Sequence, residues 1–130
     1  MYRILGYLNA ALFVLITSPY WLRRVNQWVL HIRSAGFMKL LKLLRALHKP
    51  LAALLLISAA VHGYLALGAL RLHTGSLVYL VLLVTGSLGL AFYKKKKPSL
   101  FKWHKGMALA VAALIALHIL APGALYYIFR

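Results

Sequence analysis

Four long apolar runs, separated by short stretches rich in lysine and arginine, limit what this chain can fold into more than any other feature. At 64% hydrophobic over 130 residues, it is too apolar for a water-soluble domain of its size and reads as an integral membrane protein. The first run, Tyr2 to Ile16, is broken only by Gly6 and Asn9 and is closed by Thr17, Ser18 and Pro19. A secretory signal peptide is its rival. No small-x-small cleavage pattern follows, and Tyr20 and Trp21 suit an interfacial anchor, so a first span is expected over residues 2–18. Further spans are expected over 48–70, 76–93 and 102–120, with Pro122 and Gly123 ending the last.

Residues 21–47 have a different pattern. Trp21, Val25, Trp28 and Ile32 recur at helical spacing opposite Arg23, Arg24, Gln27 and His31. After a break at Ser34, Ala35 and Gly36, a second piece sets Lys39, Lys42 and Arg45 against Phe37, Leu40, Leu41 and Leu44. These pieces predict an interfacial pair lying on anionic lipid, or a docking face for a partner. The expected fold is therefore an all-α membrane protein of one domain: a four-helix transmembrane bundle with an interfacial amphipathic segment between helices 1 and 2. If that segment runs on into the second span, Pro50 should bend it.

Charge narrows the chemistry. The formal charge is +16 and there is no Asp, Glu or Cys. Carboxylate acid–base pairs, carboxylate or thiolate metal sites, iron–sulfur clusters, disulfides and thioether-attached haem are excluded. The cations sit between apolar runs and have no soluble fold to present them to nucleic acid. Membrane lipids with anionic headgroups and acidic faces of partner proteins are better counterparts. Counting Lys49, Lys102 and Lys105 at the span ends, seven basic residues belong to the connection between the first and second spans and six to that between the third and fourth, against three on the other side: Arg3, Arg71 and Arg130. The positive-inside tendency then predicts a multi-pass protein of the cell membrane with both termini outside.

Within this frame two spans carry matched histidines. His48 and His62 are fourteen residues apart, as are His104 and His118, and a shift of 56 superposes the pairs together with Lys49 on Lys105, Ala52 on Ala108 and Ala60 on Ala116. Fourteen residues is about 1400° of helical rotation, within roughly 40° of four turns, so both rings of a pair leave one face about 21 Å apart. A buried histidine without a partner is costly in lipid, so its repetition at both ends of two spans calls for a ligand. The second and fourth spans run in the same direction, which pairs His48 with His104 on the inner side and His62 with His118 on the outer. Each pair suits one non-covalent haem b held from both sides. Lys49, Lys105 and Arg45 are candidate propionate partners for the inner haem; Arg71, Tyr64 and Tyr126, with Arg130, are those of the outer. His31 and His73 lack repeat partners and are expected at the surface, or in contact with a quinone or a propionate.

The text His48-Lys49, Ala52, Ala60-Val61-His62, matched by Trp103-His104-Lys105 and His118, resembles the ferric-reductase-like transmembrane domain over about residues 39–120. That superfamily includes the membrane cores of NADPH oxidases, ferric reductases and the haem-binding partner of periplasmic methionine sulfoxide reductase. Similar paired histidines occur in cytochrome b of the quinol–cytochrome c oxidoreductases. The resemblance implies a dihaem bundle moving electrons across the membrane, with the four histidines as axial ligands. Members of the superfamily commonly have six helices, against four expected here. The flavin and nicotinamide domain of the oxidases is absent from this chain, so it is not expected to draw electrons from NADPH unaided. The expected function is a membrane cytochrome passing electrons from an inner-side or quinol donor to an outer-side acceptor. Its redox partner would be a cytosolic reductase, or an outer-side cytochrome or reductase. The alternatives are the membrane subunit of a quinol-oxidising or metal-reducing complex, and a haem-free anchor or assembly factor.

Overall fold

A computed structural model describes residues 2–68 and 73–125. Among these residues all regular structure is helical: α1 (Tyr2–Val25), a π-helical turn (Asn26–Leu30), α2 (Ala35–Leu67), α3 (Thr74–Lys95) and α4 (Pro98–Leu120). Four helices are long and apolar enough to cross a membrane. The distribution of side chains is inverted relative to a water-soluble protein. Leucines, valines and aromatics such as Ile57, Leu80, Leu90, Leu109 and Leu120 are exposed along the helices, whereas Asn9, Ser18, Thr74 and Thr85 are buried. Exposing that much apolar surface to water would cost about 25 cal/mol per Å². Against lipid tails it costs nothing comparable, and the polar groups gain by turning inward.

Helix α1 does not stop at Thr17-Ser18-Pro19, as the sequence led us to expect; it continues through Pro19 to Val25. Proline cannot donate to the carbonyl four residues back, here that of Leu15. The Ser18 hydroxyl donates to that carbonyl instead, at 2.6 Å, while Thr17 donates to Phe13 and Val14 at 2.9 and 3.1 Å. The hydroxyls beside the proline thus repair the ladder that it interrupts. The helix then widens into the π turn and ends at His31, which takes the left-handed conformation and returns its N–H to the Asn26 carbonyl at 2.8 Å. The Asn26 side chain brackets Ile32, accepting from its N–H at 2.7 Å and donating to its carbonyl at 3.0 Å.

The chain breaks over residues 31–34, meeting the expected break at Ser34-Ala35-Gly36 only at Ser34. The Ser34 hydroxyl accepts from the Phe37 N–H at 3.2 Å and caps α2. From there α2 runs without interruption for 33 residues, through His48 and Pro50. No helix boundary falls at His48. The helix is about 50 Å long, against a hydrocarbon core of about 30 Å.

Two compact units divide the chain, residues 1–58 and 59–130, with the boundary inside α2. In the first, Leu41 and Leu55 of α2 and Phe13 and Ile16 of α1 are buried, and the Ser58 hydroxyl donates to the Asn9 side-chain carbonyl at 2.6 Å. In the second, α3 and α4 form a closely packed antiparallel hairpin. Its turn is short. Lys94 and Lys95 complete the last turn of α3, Lys96 is left-handed, Lys97 is extended and Pro98 opens α4. Basic residues at a helix C-terminus and proline at the first helical position both suit these ends. Phe92 and Phe101 stack across the turn at 5.0 Å between centroids. The third and fourth helices accordingly begin at Thr74 and Pro98, two and four residues earlier than the expected spans.

Candidate functional site

Helical periodicity turns the four paired histidines inward, and all four are half-buried, whereas His31 is exposed. In the first unit the His48 Nδ1 lies 2.9 Å from the Ile16 carbonyl. In the second, the His104 Nδ1 lies 2.8 Å from the Thr85 carbonyl. A carbonyl only accepts, so in both rings Nδ1 carries a proton. His118 reaches the same state by another route. Its Nδ1 lies 2.8 Å from the Thr74 hydroxyl, which donates its single proton to the Pro122 carbonyl at 2.7 Å and so accepts from His118. Three of the four rings are thus anchored through Nδ1, and in rings held this way Nε2 is the nitrogen that a metal would take. The carboxylate that often performs this anchoring is missing from the sequence, and backbone carbonyls and a buried threonine do it instead.

His62, on the last part of α2, stands 6.4 Å from His118 between ring centroids, with planes at 78°. His73 is not a plain surface residue. It caps α3, its Nδ1 accepting from the Gly75 N–H at 3.2 Å, and its ring packs edge-on against His118 at 5.5 Å. His31, at the end of the π turn, has its Nδ1 3.1 Å from the Val29 carbonyl and does local structural work.

Glycines on α3 make room for the rings of α4. A Cβ at Gly75 would stand 3.0 Å from the Cε1 of His118, and one at Gly89 would stand 3.0 and 3.1 Å from the Cε1 and Nδ1 of His104. Gly75 and Gly89 are fourteen residues apart, as are His104 and His118. That coincidence across an antiparallel hairpin is the sequence signal that identifies them. No such signal marks the carbonyls of Ile16 and Thr85 or the hydroxyl of Thr74.

The expected propionate partners lie at the periphery. Lys49, Arg45 and Lys105 are exposed, Lys105 with its Nζ 4.8 Å from the Phe101 ring centroid. Arg45 lines a shallow depression with Met38, Lys39 and Lys42. Tyr64 is 71% exposed. Arg71, Tyr126 and Arg130 lie outside the described residues. Among the described residues no group of three or more metal-binding side chains comes together. An iron porphyrin brings four nitrogens of its own and takes two imidazoles, and the His62–His118 pair is a donor set of that kind. The chain matches no known protein family, no characterised protein and no solved structure.

Proposed function

We propose that this chain is a dihaem b-type membrane cytochrome, with His48 and His104 as the ligands of an inner haem and His62 and His118 as those of an outer one. The observation that carries this reading is the anchoring of His48, His104 and His118 through Nδ1, which makes Nε2 the ring nitrogen that a metal would take. The 6.4 Å between His62 and His118 also supports it, since two metal–nitrogen bonds of about 2 Å plus two ring radii of about 1.1 Å set centroids about 6 Å apart.

Haem supplies a one-electron iron couple when bound. The work of the chain is to position it and set its potential. Held by two imidazoles, a bound haem would have no place left for oxygen or substrate at its iron. Lysines and arginines without any carboxylate in the sequence favour the reduced state and raise the potential. Lys49, Lys105 and Arg45 reach for inner propionates, and Tyr64, Arg71, Arg130 and Tyr126 for outer ones. In this reading the chain crosses the cell membrane four times as a bundle with both termini outside. The length of α2 lets its Ala35 to Leu47 portion leave the hydrocarbon, with Lys39, Lys42 and Arg45 among anionic headgroups. Electrons pass from a quinol or an inner-side reductase to an outer-side acceptor, either as a relay or as the membrane subunit of a larger quinol-oxidising or metal-reducing complex.

A haem-free anchor is the second reading, favoured by the same hydrogen bonds, because an imidazole bonded to a neighbouring carbonyl is also polar glue between helices. The absorption spectrum of the purified chain separates the two. Sharp reduced bands with about two haems per chain are expected, and His62→Ala should lose one haem and leave the other low-spin. A colourless protein overturns the cytochrome reading, and a His62→Ala protein with both haems intact overturns the ligand assignment.

A further inference from the structure

In the first unit, a groove of about 430 Å³ runs between α1 and α2, walled by Leu8, Leu12, Leu15 and Leu54 and marked at one place by Asn9 and Ser58. Asn9 is 8% exposed, and its side-chain Nδ2 is buried with no hydrogen-bond partner. Turning the amide over does not relieve this. Ser58 would then accept from Nδ2 and donate to the Leu55 carbonyl, 3.3 Å away, leaving Oδ1 stranded instead. Either way one end of a buried amide lacks a partner, at a cost of several kcal/mol in a medium without water. A partner from outside the chain would satisfy it.

Depth decides what it is. No charged residue falls between Lys49 and Gly68, and Ser58 lies near the middle of that stretch, about 13 Å along the helix from either end. Phospholipid ester carbonyls and charged headgroups sit at the edge of the hydrocarbon and do not reach this depth. We infer that the Asn9–Ser58 groove binds a neutral, membrane-dissolved ring ketone of the quinone class, whose carbonyl accepts from the Asn9 amide while its ring and tail lie along the leucine walls. The volume falls within the range of small-molecule sites, mostly apolar with few polar groups. The same amide, turned over, accepts from the hydroxyl of the reduced form. This inference goes beyond the haem assignment and does not need it, because every residue it uses lies outside the histidine pairs.

The test uses the full chain in phosphatidylcholine nanodiscs and a decyl-benzoquinone labelled with ¹³C at its carbonyls. Saturable binding near one per chain is expected, with the labelled C=O stretch moved below its value in empty discs. Asn9→Leu should weaken binding about tenfold, the worth of one hydrogen bond in a dry site, and return the stretch to its free value. Because Asn9→Leu removes an unsatisfied buried amide, its melting temperature should hold or rise. Leu54→Trp, at a half-exposed wall position, should block binding with the amide intact. Uptake no greater than by empty discs, or Asn9→Leu binding equal to that of the unaltered chain, overturns the inference. So does an Asn9-dependent shift of the phospholipid ester carbonyl with none of the quinone. A colourless protein that passes this test would discard the haems and keep the groove.

Discussion

Thr74 has one hydroxyl proton and two neighbours, and the proton goes to the Pro122 carbonyl, leaving the oxygen to receive Nδ1–H of His118. Only 1% of the residue is exposed, so water does not substitute for either bond. Thr74→Val keeps the shape and removes the acceptor, stranding two buried groups at about 1–3 kcal/mol. In the cytochrome reading it should weaken one of the two haems about 10–100-fold, as the loss of an outer-shell partner does, and raise that haem's potential because the imidazole becomes a poorer donor. Thr74→Ser keeps the hydroxyl and should restore both. Haem titration of the apoprotein and a redox titration read these outcomes, and equal behaviour of Val and Ser would remove Thr74 from the ligand's support. Asn9 presents the opposite situation, a buried amide with one end unmet, and it was passed over in the sequence as a mere interruption of an apolar run.

The antiparallel hairpin of α3 and α4 turns two sequence spacings into one register. With Gly75 against His118 and Gly89 against His104, the rings lie where only hydrogen-bearing α-carbons leave space. Gly89→Ala should therefore push the His104 ring by a few tenths of an ångström, strain its 2.8 Å bond to Thr85 and lower haem content by one. Gly106→Ala, on the next helix with nothing within 4 Å of an added Cβ, should leave haem untouched and stabilise the helix by about 0.5–1 kcal/mol. Haem-to-protein ratios and thermal melting of the two variants give the comparison. The four helices themselves were legible, because long uncharged runs have few alternatives in lipid. Their ends were not. Pro19 read as a boundary, yet Ser18 and Thr17 repair the ladder there, and α2 begins at Ala35, well before the span expected from His48. Side-chain repair of a backbone gap leaves only a faint mark in composition.

Across the whole molecule, what the sequence reveals of the candidate site is its ligands and not their supports. Histidines are rare and their spacing is countable, so His48, His62, His104 and His118 stand out; the acceptors that orient them are mainly backbone carbonyls, which every residue possesses and no pattern announces. Charge is the other property that acts at this scale. Thirteen cations are assigned to one side of the membrane and three to the other, with no acidic residue to offset either group. At about 1 kcal/mol per cation near an anionic surface, this asymmetry favours one orientation strongly. Because the sequence has no cysteine, single substitutions report on it without background. Arg3→Cys and Lys97→Cys both fall at exposed positions, one near the start of α1 and one between α3 and α4. In sealed vesicles of known sidedness, a membrane-impermeant maleimide should label Arg3→Cys from the outer face and Lys97→Cys only from the inner. The reverse pattern would invert the topology and exchange the inner and outer haems. Labelling of both from one face would mean that one of α1, α2 and α3 does not cross; were it α2 or α3, α2 and α4 would no longer run in parallel as paired ligation requires.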